Sequence, residues 1–195
     1  ILAVRAATTC GTDVKVFKRG GHPRMLRVPT LFGHEMAGTV AAIGDGVTTF
    51  KEGDAVVVAN SAPCGGCDYC LRDRGNLCED LLYLNGAFAE YVRVPERFVE
   101  SNAYKIPADL EFGKAALTEP LACVLHGMDA CELPRYAHNS PAEVIVFGGG
   151  PIGLLFVGAL AADGHNVILA DPNQSRLDMG KAFGAKKTVI IERGG

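Results

Sequence analysis

Residues 144–153 form the stretch VIVFGGGPIG, which decides the fold of the second half of the chain. The apolar run 144–147 predicts a buried strand, and the glycine-rich turn leads straight into residues 154–163, an apolar run of helical length. Further on, the pattern predicts a strand over 166–170, a helix over 174–184 and a strand over 188–191. This alternation predicts a βαβαβ unit with a parallel sheet.

On the N-terminal side of that stretch the pattern is different. From residue 1 to about 107, short β-branched runs are separated by Gly, Pro and Asp, which is typical of an all-β domain; we expect a partly closed barrel. After residue 107 the apolar spacing becomes helical, and a helix is predicted over 111–131. We therefore place one domain at 1–117 and a second, α/β domain at 118–195.

Composition limits the class of protein. The chain has 195 residues, 48% of them hydrophobic, and a net charge of -3. With acidic and basic residues spread evenly, it offers no basic surface for nucleic acid. The most apolar stretch, 144–162, is interrupted by glycines and a proline, so no membrane span is expected.

Four cysteines are clustered in one loop, predicted to lack strands, over residues 61–80. Cys64, Cys67, Cys70 and Cys78 have the spacing C-x2-C-x2-C-x7-C. Four thiolates at such short intervals can converge on one zinc ion and leave no open position, which is typical of a structural site. Free or disulfide-bonded cysteines are the alternative.

Two further polar positions fall where strands are predicted to end: Cys10, in CGTD, and His34-Glu35, in GHEMAG. Neither is specific by itself. A lone Cys is more often a small core residue, and a lone His is more often a polar group satisfied by its neighbours.

Taken together, these motifs resemble the zinc-dependent alcohol and polyol dehydrogenases of the medium-chain dehydrogenase/reductase superfamily, and most of all the sorbitol and threonine dehydrogenase branch. Residues 33–47 match the signature G-H-E-x2-G-x5-G-x2-V at every fixed position. The resemblance implies a GroES-like catalytic domain, a Rossmann domain that is incomplete here, and hydride transfer between a secondary alcohol, polyol or sugar-derived hydroxyl and NAD+. From the same resemblance, we expect the intact protein to have further strand and helix units and to be a homo-oligomer.

The resemblance also implies a catalytic zinc, separate from the structural one. Cys10 and His34 would be two of its ligands, and the third is open between Glu35 and Glu119. The Thr12 hydroxyl occupies the family position of the first proton acceptor, while Lys15 stands where relatives often have His. Cys123 and His126 are interpreted as core residues.

The glycine turn has the spacing and context of a dinucleotide-binding motif: Gly148, Gly150 and Gly153 follow a strand and open a helix, with Pro151 and Ile152 between them. Because glycine has no side chain, the backbone can approach a pyrophosphate at this turn, and the N-terminus of the helix supplies N–H groups that can bind it. Asp171 ends the next predicted strand, where a carboxylate would bind ribose hydroxyls and repel a 2′-phosphate, so NAD is favoured over NADP. Arg176 is a candidate contact on the adenosine side.

These observations make an enzyme the leading hypothesis, with a catalytically silent zinc-binding scaffold or NAD-binding relative of the same fold as the alternative. Cysteine usage of the metal-binding kind favours the cytoplasm. The chain is expected to be a fragment that binds zinc but turns over poorly. Phe17 and residues 83–88 are expected to line part of a substrate pocket, which is too little to define the substrate.

Overall fold

The computed structural model describes residues 1–26, 28–133 and 140–192. The chain divides into two compact units, Ile1–Glu119 and Pro120–Gly195. The first contains the strands β1 (Leu2–Thr8), β2 (Glu35–Val40), β3 (Ala55–Val58), β4 (Ser61–Ala62), β5 (Leu82–Tyr83), β6 (Tyr91–Val92) and β7 (Ala103–Lys105). Its helices are α1 (Gly11–Arg19), α2 (Asp68–Leu71), α3 (Glu96–Ser101) and α4 (Phe112–Ala115), with a 3-10 turn at Gly75–Leu77.

Five of these strands form one antiparallel sheet in the order β6-β1-β2-β3-β7. The edge strands β6 and β7 do not pair with each other, so within the described residues the sheet remains open rather than a closed barrel. Its core contains Leu2, Met36, Val56, Val58 and Phe98. The predicted strand-rich N-terminal part is found, but the expectation that it is all-β is wrong, because helices α1 to α4 lie between and after its strands.

We predicted that the cysteine loop lacks strands, and this prediction is wrong at the base of the loop. Ser61 pairs with Tyr83 and Ala62 with Leu82, so the two-residue strands β4 and β5 close the base of the loop. We call residues 61–83 the cysteine lobe. Between the two strands, the lobe contains only α2 and the 3-10 turn.

The single helix predicted over 111–131 is wrong. The structure has α4 and then a separate helix, α5 (Thr118–Ala130). Pro120 explains the break, because it has no N–H to donate to the carbonyl of Ala116 four residues earlier. On α5, Pro120, Val124 and Met128 are buried.

The interpretation of Cys123 and His126 as core residues is also wrong. Both side chains are exposed. The buried stripe of α5 follows the four-residue spacing from Val124 to Met128, and neither position falls on it.

The second unit has the predicted βαβαβ order: β8 (Glu143–Phe147), α6 (Pro151–Ala162), β9 (Asn166–Asp171), α7 (Gln174–Ala182) and β10 (Lys187–Ile190). The three strands are parallel, in the order β10-β9-β8. The core between sheet and helices contains Val157, Leu160, Val167, Leu169 and Leu177.

Strand β8 is less buried than its sequence predicted. Val144 and Val146 pack against the core of the second unit, whereas Ile145 and Phe147 are 55% and 75% exposed. Alternate side chains of a strand point to opposite faces, and α5, α6 and α7 all contribute to the core on the valine face. In the described part of the chain, no helix is long and apolar enough to cross a membrane.

Candidate functional site

The first cluster of functional side chains begins at Cys10, which follows β1 and forms the N-cap of α1. The backbone N–H of Thr12 donates to Cys10 Sγ (3.4 Å), and the backbone N–H of Cys10 donates to Asp13 Oδ2 (2.8 Å). This reciprocal arrangement is a capping box, and it fixes the direction of the Cys10 thiol. The Thr12 side chain is half-buried beside it.

Asp13 also contacts His34, the second residue of the cluster. Asp13 Oδ1 lies 3.1 Å from His34 Nδ1, and both side chains are buried. An acceptor at Nδ1 directs the other ring nitrogen, Nε2, toward a metal. The sequence placed His34 at the end of a strand; instead it directly precedes β2, with Glu35 as the first residue of that strand.

Glu35 completes the cluster. It is buried, and its carboxylate accepts a hydrogen bond from the Thr8 hydroxyl. One ligand atom each from Cys10, His34 and Glu35 lie within 4.8 Å of one another. Thiolate, imidazole and carboxylate are all donors that bind zinc, and they are near enough to one another that the three could hold one metal ion.

Glu119 lies outside this group of close ligand atoms, although it is near enough for His34 and Glu35 to affect the pKa of its carboxyl. The Asn60 amide donates to Glu119 Oε1 at 2.7 Å. Burial raises the pKa of Glu119 above its ordinary value. Of the two candidate third ligands, the geometry therefore favours Glu35.

The cysteine lobe brings its four thiols together. Cys67 Sγ lies 3.5 Å from Cys70 Sγ and 3.9 Å from Cys78 Sγ, and Cys64 Sγ lies 3.9 Å from Cys70 Sγ. All four are free of disulfides. A tetrahedral ion with Zn–S bonds of about 2.3 Å places its sulfurs roughly 3.8 Å apart, so the lobe fits zinc.

Thiol acidity in the lobe is uneven. Backbone N–H donation by Glu79 and Cys70 lowers the pKa of Cys67 to about 6, and donation by Gly66 lowers the pKa of Cys64. Burial, followed by the neighbouring Cys67, raises the pKa of Cys70 to about 12. Cys67 is thus readily ionised to a thiolate, and a full set of four thiolates would need a cation to compensate its charge.

In the second unit, the glycine turn connects β8 to α6. Gly148 has a φ of 101°, and Gly150 is the N-cap of α6, with Pro151 at its first turn. A Cβ added to Gly153 would lie 1.8 Å from the Gly148 carbonyl oxygen. The turn therefore requires glycine at its first and last positions, while Ile152 is 48% exposed on the new helix.

Asp171, at the end of β9, is tied to that turn. Its carboxylate accepts from the backbone N–H of Gly149 (2.6 Å) and of Asn173 (2.7 Å), and Arg176 Nη1 lies 3.7 Å away. These contacts, first of all the Gly149 N–H, lower the pKa of Asp171. The carboxylate is thus fixed at the end of β9 beside the glycine turn, and its role in ribose recognition stays a prediction.

Sequence reasoning missed three of these supporting residues: Asp13, Asn60 and Gly149. Asp13 had a local signal, because an acid three residues after a candidate N-cap indicates a capping box. Gly149 stood inside the glycine run, and a Cβ there would lie 2.9 Å from Arg176 Cβ. For Asn60 the sequence had no signal, since its partner is 59 residues away.

Comparison with known proteins agrees with this geometry. The profile of the alcohol dehydrogenase GroES-like domain matches residues 1–108. The chain therefore belongs to the alcohol dehydrogenase GroES-like domain family, in the medium-chain dehydrogenase/reductase superfamily.

Individual relatives include a probable D-xylulose reductase A from Aspergillus clavatus, 36% identical over 98% of this chain and 52% of that protein. An L-threonine 3-dehydrogenase from Bacillus licheniformis is 35% identical over 99% of this chain and 55% of that protein. Among solved structures, galactitol-1-phosphate dehydrogenase from Escherichia coli superposes with a TM-score of 0.82 at 30% identity, covering 96% of this chain and 52% of that one. The chain spans about half the length of the relatives it matches.

Proposed function

We propose that the protein to which this chain belongs is a zinc-dependent oxidoreductase that transfers a hydride between a secondary alcohol or polyol and NAD+. The observation that carries the proposal is the group of half-buried Cys10 with buried His34 and Glu35, whose ligand atoms lie within 4.8 Å of one another. Three protein ligands leave a position open for a substrate oxygen, which distinguishes a catalytic zinc from a structural one. The four cysteines of the lobe would hold a second, structural zinc.

When bound, the catalytic zinc supplies a Lewis acid that makes the substrate hydroxyl more acidic. Cys10, His34 and Glu35 hold it, and Asp13 keeps the imidazole of His34 oriented. Thr12, two residues after Cys10, is the proposed first acceptor of the hydroxyl proton. The carbinol hydrogen leaves as hydride to NAD+, so that alcohol and NAD+ become ketone, NADH and a proton. Lys15 is exposed, and a role for it in the relay stays a hypothesis.

For the dinucleotide, the proposed binding residues are Gly148, Gly150 and Gly153 with Pro151 and Ile152 between them, together with Asp171 and Arg176. The fixed negative charge of Asp171 supports NAD over NADP, because it would repel a 2′-phosphate. The N-terminus of α6 supports pyrophosphate binding.

The substrate class is proposed to be a small alcohol, polyol or sugar-derived molecule. The names of the relatives, which include xylulose reductase and sorbitol and threonine dehydrogenases, support it. Seven free cysteines, four of them arranged for metal, support a reducing compartment such as the cytoplasm. By analogy with the family, the whole protein is proposed to be a homo-oligomer.

Zinc content tests the proposal directly. Elemental analysis of the chain should give two zincs, falling to one in Cys10→Ala/His34→Ala and to one in Cys67→Ser/Cys70→Ser, which removes the other site. The longer protein should then reduce NAD+ with a polyol panel and lose this activity in Cys10→Ala/His34→Ala. One zinc in both the wild type and Cys10→Ala/His34→Ala would contradict the enzyme and favour the silent scaffold.

A further inference from the structure

Asn60 lies at the base of the cysteine lobe and donates a hydrogen bond to Glu119. We call Cys10, His34 and Glu35 the catalytic cluster. Asn60 lies between β3 and β4, and its backbone carbonyl accepts from the Leu84 N–H at 2.9 Å. The next residue, Ser61, pairs with Tyr83 across the base of the lobe. With its backbone held in this way, Asn60 directs its amide to Glu119 Oε1, 2.7 Å away.

Glu119 is a carboxylate that the catalytic cluster does not use. It is half-buried, and burial raises the pKa of its carboxyl while the nearby His34 lowers it, although its oxygens are not within the group of close ligand atoms. A carboxylate at this place could become a fourth protein ligand. Four protein ligands would give zinc the closed coordination of a structural site and exclude the substrate.

We propose that Asn60 is a positioning residue that holds Glu119 away from the catalytic metal and so keeps the fourth position open. The amide N–H occupies one carboxylate oxygen, and hydrogen bonds to a charged acceptor are among the stronger ones in proteins. The inference rests on the proposed function, since it requires a metal at Cys10, His34 and Glu35. The cysteine lobe would then also affect the position of Glu119, because the strand pair at its base fixes the backbone of Asn60.

Cobalt spectroscopy of the chain tests this without turnover. Co2+ replaces zinc, and the absorption of Cys10→Ala/His34→Ala is subtracted to leave the catalytic site alone. In the wild type, azide should bind the open position and shift the visible bands. In Asn60→Ala the released Glu119 should take that position, so azide affinity falls about tenfold or more and Co2+ binds about tenfold tighter. Asn60→Asp, which cannot donate, provides a second variant.

Controls separate positioning from general damage. In a Glu119→Gln background, Asn60→Ala should have no further effect on azide binding. Gln174→Ala removes another amide-to-carboxylate hydrogen bond, to Asp178 Oδ1 at 2.9 Å in the second unit, and should leave the cobalt spectrum unchanged. Far-UV circular dichroism confirms that each variant is folded.

Two results would overturn the role of Asn60: azide binding that is unchanged in folded Asn60→Ala and Asn60→Asp, or a loss of azide binding that persists without the Glu119 carboxylate. A different failure, a wild-type cobalt spectrum identical to that of Cys10→Ala/His34→Ala, would overturn the proposed metal site itself. The two failures are thereby distinguishable.

Discussion

Replacing Gly153 with Ala should destabilise the second unit, although it puts a better helix former into a helix. The added Cβ would lie 1.8 Å from the backbone oxygen of Gly148, whereas a normal C···O contact is about 3.3–3.6 Å. The turn and α6 must therefore separate by roughly 1.5 Å. Overpacking of this kind costs about 1–3 kcal/mol, and a carbonyl of the main chain cannot rotate away.

Helix propensity offsets part of that cost, by about 0.5–1 kcal/mol. We expect a net loss of about 1 kcal/mol in the free energy of unfolding. Urea titration followed by circular dichroism measures the loss. NADH binding, followed by its fluorescence, should weaken as well, because the displaced N-terminus of α6 no longer presents its N–H groups correctly.

Gly158→Ala is the matched control in the same helix. Its Cβ would meet Phe183 Cδ1 at 3.4 Å, an ordinary contact, so this variant should be up to about 1 kcal/mol more stable than the wild type. If the close contact at Gly153 exists, the two Gly→Ala substitutions should change the free energy of unfolding in opposite directions. Equal stability of Gly153→Ala and Gly158→Ala would refute the reasoning.

Three further predictions concern the remaining parts of the site. Asp13→Asn should weaken metal binding at the catalytic cluster about 10- to 100-fold in chelator competition, because one amide oxygen cannot serve both Cys10 N–H and His34 Nδ1; unchanged affinity would argue against an orienting role. Asp171 has a lowered pKa, so its contribution to stability is complete above the ordinary Asp pKa of about 3.9 and disappears as pH falls through the folded value. Urea midpoints should therefore fall less steeply with acid in Asp171→Asn, and parallel curves would contradict this. Chelation should expose residues 64–78 to trypsin at Arg72 and Arg74, and equal cleavage rates with and without zinc would contradict a metal-held lobe.

The part of the fold that follows from local pattern was predictable from the sequence. The βαβαβ unit was predicted from the glycine turn, the proline that follows it and the spacing of the apolar residues. All five of its elements are found in the predicted order. Cysteine spacing and the Gly33-His34-Glu35 motif indicated both metal clusters. Pro120 also indicated the break before α5. We predicted one continuous helix because the apolar residues recur at helical spacing on both sides of it.

Other features depend on packing that no local pattern contains. The run 144–147 is apolar throughout, yet Ile145 and Phe147 are exposed; composition does not tell which sheet face the helices cover. Asn60 and Glu119 likewise meet only through the tertiary fold. An amide next to a cysteine loop has no distinguishing neighbours in the sequence.

Asp13 shows why local structure and metal chemistry cannot be separated in the first unit. One carboxylate oxygen caps α1 through the Cys10 N–H, and the other contacts His34 Nδ1. The same group therefore fixes the backbone that carries one ligand and the ring that supplies another, 24 residues further along the chain (34 − 10). Because each carboxylate oxygen serves one of these contacts, replacing Asp13 should loosen the start of α1 and misdirect the imidazole together. One carboxylate thus connects the helix start to the proposed metal site, and this connection would preorganise the ligand set.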